Sequence, residues 1–267
     1  MYALLQKQTL KTYTALFQYL MNATNAAPLR FVVDFEKAVH VALQAVFGPN
    51  INIRGCFYHL TQSTWRKIQF LGKARKYKTD KEFRLYCGQL DALALLPVEM
   101  APEAMLYLRQ TAPDDAAELV EYFDSTYVSG PLRRQPLTRG RTGIRLRRCQ
   151  PLFPPAVWNV HDATMHNEHR TNNVCEGWNN GFRHLVGHDH PSIWKLVEAL
   201  QKENARVQLL IVQDERGVQP TKRVRREYVD LQSRLVNLCN DLVTKRKDMS
   251  RFLRGVSDNI RCGEINI

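Results

Sequence analysis

At 267 residues and 44% hydrophobic content, the chain is long enough to bury a sizeable core, which excludes a disordered tail. No apolar run approaches the roughly 20 residues that a membrane helix needs, and the N-terminus turns polar at Gln6, so neither a span nor a secretory signal is expected and the protein reads as soluble and intracellular. A net charge of +12 and a pI near 9.6 favour a polyanionic partner, nucleic acid first, through counterion release.

A first helix is predicted from Leu4 to Leu20, with Tyr13, Leu16, Phe17 and Leu20 on its apolar side, broken by Asn22 to Pro28. Phe31, Val32 and Val33 form a short apolar strand that stops at Asp34. Phe35, Val39, Ala42, Leu43 and Val46 then recur at helical spacing up to Gly48 and Pro49. Ile51 to Gly55 reads as a second strand and Phe57 to Phe70 as a second helix, giving β-α-β-α. From Lys73 to Val128 only helices are predicted, with starts at Asp80, at Pro102 and at Pro113-Asp114-Asp115; this has the look of an inserted helical subdomain. Residues 131–150 hold seven arginines (Arg133, Arg134, Arg139, Arg141, Arg145, Arg147, Arg148) and no acid, and with Pro151 to Pro155 they read as an extended connector. Helical pattern returns near Asn173, then from Pro191 to Asp214 and from Val224 to Val243, followed by a poorly patterned tail.

Several groups have residue types suited to chemistry. Asp34 ends a buried strand, where α/β sheets present ligand-binding groups, although a carboxylate there also N-caps a helix starting at Phe35. Glu176 shares a helical face with Asn173, Asn180 and Arg183, opposite Val174, Trp178, Phe182 and Leu185; Asn173 and Glu176 are also spaced as a capping box. Cys56 and His59 form a Cys-x-x-His pair that could supply two zinc ligands, or be a buried thiol and a hydrogen-bonded imidazole. The six cysteines include no Cys-x-x-Cys, which argues against a disulfide framework. His184, His188 and His190 read as loop histidines. Further basic clusters lie at Lys222, Arg223, Arg225 and Arg226 and at Lys245, Arg246 and Lys247; each basic stretch is either a nucleic-acid surface or a solvated face. Tyr228, Leu231, Leu235, Leu238 and Leu242 make a heptad-like seam over 228–242 that could serve self-association or the protein's own core. No phosphate-binding glycine loop, esterase elbow or His-Glu-x-x-His pattern is present.

Pieces along the chain resemble the Mutator-like (MULE) DNA transposase family: Tyr2 to Leu5 with Lys7 and Tyr13, Phe31 to Ala38, Gly55 to Leu60, Pro151 to Pro154 with Trp158 to Val160, Arg170 to Asn173 with Glu176 to Asn179, and His190 to Trp194. The resemblance implies a ribonuclease-H-like fold, in which two aspartates and a glutamate bind two divalent cations, magnesium or manganese, and a helical insertion precedes the glutamate. By it Asp34 is the second acid, Glu176 the third, and Cys56 and His59 the family's Cys-x-x-His signature. It implies a DNA partner and a nuclear location. The first acid lies, in the family, on a strand well before the segment like Tyr2 to Leu5, so the chain is expected to lack it, along with the leading strands and the DNA-binding module. The expected fold is thus α/β and helix-rich, a truncated ribonuclease-H-like core (1–72) with a helical insertion and Arg-rich connector (73–150), a return to the core (151–215) and a basic C-terminal helix and tail (216–267). The expected function is a fragment or decayed copy of such a transposase, inactive alone, or a non-catalytic nucleic-acid-binding derivative.

Overall fold

A computed structural model of the chain describes residues 3–24, 30–136, 144–218 and 225–262. They fall into two compact units: a larger one, Gln8–Thr171 with Glu227–Ile267, and a smaller one, Met1–Lys7 with Asn172–Arg226. The fold is helix-rich α/β.

In the larger unit, α1 (Leu10–Thr24) starts later than its apolar pattern predicts. Thr9 sets the start, its Oγ1 accepting from the Thr12 amide at 3.3 Å and so taking up one of the free N–H groups of the first turn. Phe17 of α1 meets Phe31 of β1 (Arg30–Val33) and Phe47 of α2 (Lys37–Phe47) at ring separations of 6.2 and 6.4 Å, and Tyr13 donates to Glu36 at 3.0 Å. β1 pairs in parallel with β2 (Asn52–Gly55), Val33 opposite Gly55, and Cys56 N–H extends the ladder to Val33 O at 2.9 Å. The next helix, α3 (Phe57–Phe70), completes the β-α-β-α order. Gly55 lets the Phe35 ring lie close: a Cβ would stand 2.5 Å from it, so the ring would have to shift to admit one.

The chain continues through α4 (Ala74–Thr79), α5 (Lys81–Ala92), α6 (Ala101–Gln110) and α7 (Ala117–Phe123). Asp80 caps α5, its side chain accepting from the Phe83 amide at 3.0 Å, and Pro102 sits in the first turn of α6, as their types require. Next comes β3 (Leu132–Pro136), antiparallel to β4 (Ile144–Arg148), so the expected connector is a hairpin. The chain then runs through α8 (Pro155–Trp158) and α9 (His161–Met165), into α10 (Asn173–Val186) and α11 (Ile193–Glu215) of the smaller unit, and on to α12 (Arg226–Val243) and α13 (Met249–Ser257).

One core joins α3, α5, α6, α7, α12 and α13, with Leu60, Leu90, Leu108, Phe123, Leu235 and Phe252 fully buried. The helical segment and the C-terminal helices therefore share an interior. The tail was too short for its period to be read, yet Phe252, Leu253, Val256 and Ile260 are buried. Ser257 Oγ donates to Leu85 O at 2.6 Å, closing α13 onto α5. Leu231, Leu235, Leu238 and Leu242 face this core, while Tyr228 stays 47% exposed; the leucines of the seam are thus already covered within the larger unit.

The smaller unit is held by the side chain of Trp178. It stacks on Phe182 at 5.1 Å, and its Nε1 donates to Oε1 of the buried Glu203 at 2.8 Å, joining α10 to α11. Ser192 caps α11, and Gly187 ends α10 in the left-handed conformation, at φ 86°.

Candidate functional site

Asp34 follows directly on β1, at the C-terminal edge of the parallel pair, where ligands of open α/β sheets bind. It does not cap α2: Glu36 occupies the N-cap position, and the helix begins at Lys37. The Asp34 carbonyl instead accepts from the Glu36 amide at 2.8 Å and from His40 Nε2 at 3.0 Å, which turns the chain into α2 and leaves the carboxylate half exposed. Burial lowers the His40 imidazole from its ordinary value, opposed by that same hydrogen bond.

His59 lies in the first turn of α3, four residues past the end of β2, with its Nδ1 2.9 Å from Asp34 Oδ1. It is 18% exposed against 50% for Asp34. The two residues that flank the crossover thus meet in space, on the side where the α3 N-terminus favours negative charge. Cys56 is fully buried at the N-cap position of α3. Among the described residues no group of three or more histidine, cysteine or acidic side chains comes together, so neither the Asp34–His59 pair nor Cys56 and His59 completes a metal site there.

Asp34 and His59 open into a groove of ≈ 1070 Å³, with Arg66 and Lys67 of α3 among its lining residues. Lys67 Nζ lies 4.8 Å over the Phe70 ring and 5.2 Å over Tyr122. In the groove wall, Ser63 Oγ is 2.8 Å from the Tyr122 hydroxyl and 2.7 Å from that of Tyr127, and burial pushes the Tyr127 hydroxyl up from its usual range. The groove therefore sets two carboxylates, Asp34 and Glu36, beside two cations, Arg66 and Lys67.

The remaining candidates divide between the two units. Glu176 is half-buried in the first turn of α10, in the smaller unit; Asn172 takes the N-cap position without a side-chain cap bond, so the expected box anchored at Asn173 does not define the start. Asn173, Asn180 and Arg183 are exposed on α10, and Arg183 bonds Asp189 at 2.5 Å. Asp34 belongs to the larger unit and Glu176 to the smaller one. Of the arginine stretch, Arg133, Arg134, Arg147 and Arg148 are exposed on β3 and β4, the Arg145 backbone is in β4, and Arg139 and Arg141 lie outside the described residues, as do Lys222 and Arg223.

Residues 1–63, which carry Tyr13, Asp34, Gly55, Cys56 and His59, match the family model of the MULE transposase domain. The likeness covers residues 1–63 of the 267 and is a similarity to that domain over this segment. No curated protein and no solved structure matches the chain. The motif pieces after residue 63 lie outside that match, and several have structural roles. Phe153 packs on Phe35 at 5.1 Å, and buried Trp158 donates from Nε1 to Tyr127 O and Phe153 O at 2.9 and 3.0 Å. Asn159 Nδ2 donates to Leu96 O at 2.7 Å. Arg170 O accepts from the Phe57 amide at 3.0 Å, tying its segment to the turn before His59.

Sequence reasoning missed three buried acids, Asp91, Asp124 and Glu203. Each lies on a helix or helical turn with the spacing of a surface charge, and nothing local identifies the distant group that buries it. It also missed Arg66 and Lys67, whose only signal was helical spacing from His59.

Proposed function

We propose that this chain is a transposase-derived DNA-binding protein, built on the β-α-β portion of a ribonuclease-H-like core, that binds DNA and does not cleave it alone. The observation that carries the reading is Asp34, at the C-terminal edge of a parallel strand pair and in a groove that also holds Arg66 and Lys67. In this reading Asp34 and Glu176 correspond to the family's second and third acids, and magnesium or manganese is the kind of cation that carboxylate oxygens of such acids hold. The described residues around Asp34 supply one carboxylate and one imidazole in contact, short of what a two-cation site needs, and no cleavage step follows from them. The chain is then a decayed or partial copy that has kept its polyanion-binding surface, acting on chromosomal DNA in the nucleus. No described helix is long and apolar enough to cross a membrane, which agrees with such a partner.

The test pairs binding with cleavage. Purified protein is expected to bind duplex DNA with steep salt dependence and to leave supercoiled plasmid intact in magnesium or manganese. Metal-dependent nicking abolished by Asp34→Ala and by Glu176→Ala would overturn the non-cleaving reading and restore the enzyme. Absence of any DNA binding at low salt would overturn the reading as a whole.

A further inference from the structure

The β3–β4 hairpin is an unusual piece of sheet for its charge. In its register Arg133 stands directly opposite Arg147, on one face, while Arg134 stands opposite Leu146 on the other. Directly opposed side chains have Cβ atoms about 5 Å apart, and like charges at that spacing destabilise the pair. Among the described residues no carboxylate pairs with Arg133, Arg134 or Arg147, and all three are exposed. A face that repels itself and has no counter-charge among the described residues is suited to an external anion.

The hairpin is also firmly rooted. Gly130, at φ 80°, turns the chain into β3 so closely that a Cβ would stand 1.9 Å from Cys149 O, and Cys149 N–H donates to Pro131 O at 3.0 Å across the stem. Arg148 Nη1 donates to Gly130 O at 3.2 Å and lies 3.6 Å from the buried Asp124 carboxylate, which Arg109 also contacts at 2.5 Å. Of the four arginines whose side chains are described, Arg148 therefore fixes the stem and Arg133, Arg134 and Arg147 are left on the ribbon. A solvated loop kept only for solubility needs no such anchor.

We propose that this hairpin is a DNA-binding arm, a two-stranded ribbon that enters the major groove of a B-form duplex with its Arg133–Arg147 face turned inward. Two strands about 4.8 Å apart fit a groove about 12 Å wide, which admits a β-ribbon. The narrow major groove of A-form RNA does not. The inference rests on the DNA-binding reading above and names the form of DNA and the element that grips it.

The test measures binding of the full chain to a 25-base-pair DNA duplex (about 2.5 helical turns at ~10 base pairs each), to one of its strands, and to an RNA duplex of the same sequence, by fluorescence anisotropy across a salt series. For Arg133→Ala with Arg147→Ala, the log–log salt slope on duplex DNA is expected to become shallower by about 1.8, at about 0.9 per cation. The slopes on single-stranded DNA and on RNA duplex are expected to stay within error. Lys at both positions should keep most of the duplex slope, which separates loss of charge from loss of the hairpin. If the unaltered chain binds duplex DNA and the double Ala variant leaves that slope unchanged, the arm is overturned and the DNA-binding reading stands. Equal losses on all three nucleic acids would reduce the ribbon to a general polyanion surface and also overturn the arm. If the unaltered chain binds no DNA, the broader reading falls and takes the arm with it.

Discussion

Asp91 is fully buried in the larger unit and is met by three donor atoms from two residues. Thr64 Oγ1 donates to it at 2.7 Å, Arg261 Nε donates at 2.8 Å, and Arg261 Nη2 contacts the same oxygen while donating to Thr61 O at 2.9 Å. Burial pushes the Asp91 carboxyl up from its usual range, and the guanidinium opposes that shift. Arg261→Met would leave this carboxyl without its counter-charge. It is expected to cost about 3–5 kcal/mol, read as a lowered urea midpoint with unchanged m; an unchanged midpoint would show that the carboxyl is neutral in the fold. The pair was illegible in the sequence because Asp91 has the spacing of a surface acid on α5, and its partner lies 170 residues away. Asp34 was legible for the opposite reason, since a β-branched run that stops at an acid is a local signal. Its contact with His59 was not, because the Cys-x-x-His spacing points at a metal while the actual neighbour comes from the other strand end.

At the level of elements, α12 shows how one pattern serves two purposes. Its 3-4 leucine spacing was readable, but the same spacing suits a coiled coil and a helix packed into its own core. The structure assigns it to the core, with Leu235 fully buried. Leu235→Ala is therefore expected to destabilise the fold by about 2–5 kcal/mol while leaving the mass from light scattering unchanged. A mutant as stable as the parent that has lost a dimer would reverse the assignment. The hairpin was harder to read, because Ile144 and Leu146 alternate with arginines over only five residues, and the Arg-rich composition reads equally well as a solvated connector. Only the register shows which arginines share a face.

On the scale of the whole molecule, the β-α-β-α order was legible from short runs with clear ends, and the grouping into units was not. The larger unit closes by packing α13 on α5, a contact between distant parts of the chain that no local pattern encodes. The units also differ in how much they bury: α10 and α11 together bury only Ala199 and Glu203, and Trp194 is 80% exposed, whereas most of α5 is buried. Backbone amides of α10 and α11 are expected to exchange with solvent orders of magnitude faster than those of α5, as seen by hydrogen exchange with mass spectrometry; equal protection would show one cooperative unit. Gly55 and Asp34 stand at corresponding ends of the two paired strands yet answer to different demands. A Cβ at Gly55 would displace the Phe35 ring from its place beside Tyr127 and Phe153, whereas a change at half-exposed Asp34 disturbs no such packing. Among related chains, then, the residue at position 55 reports on the fold and the residue at position 34 does not.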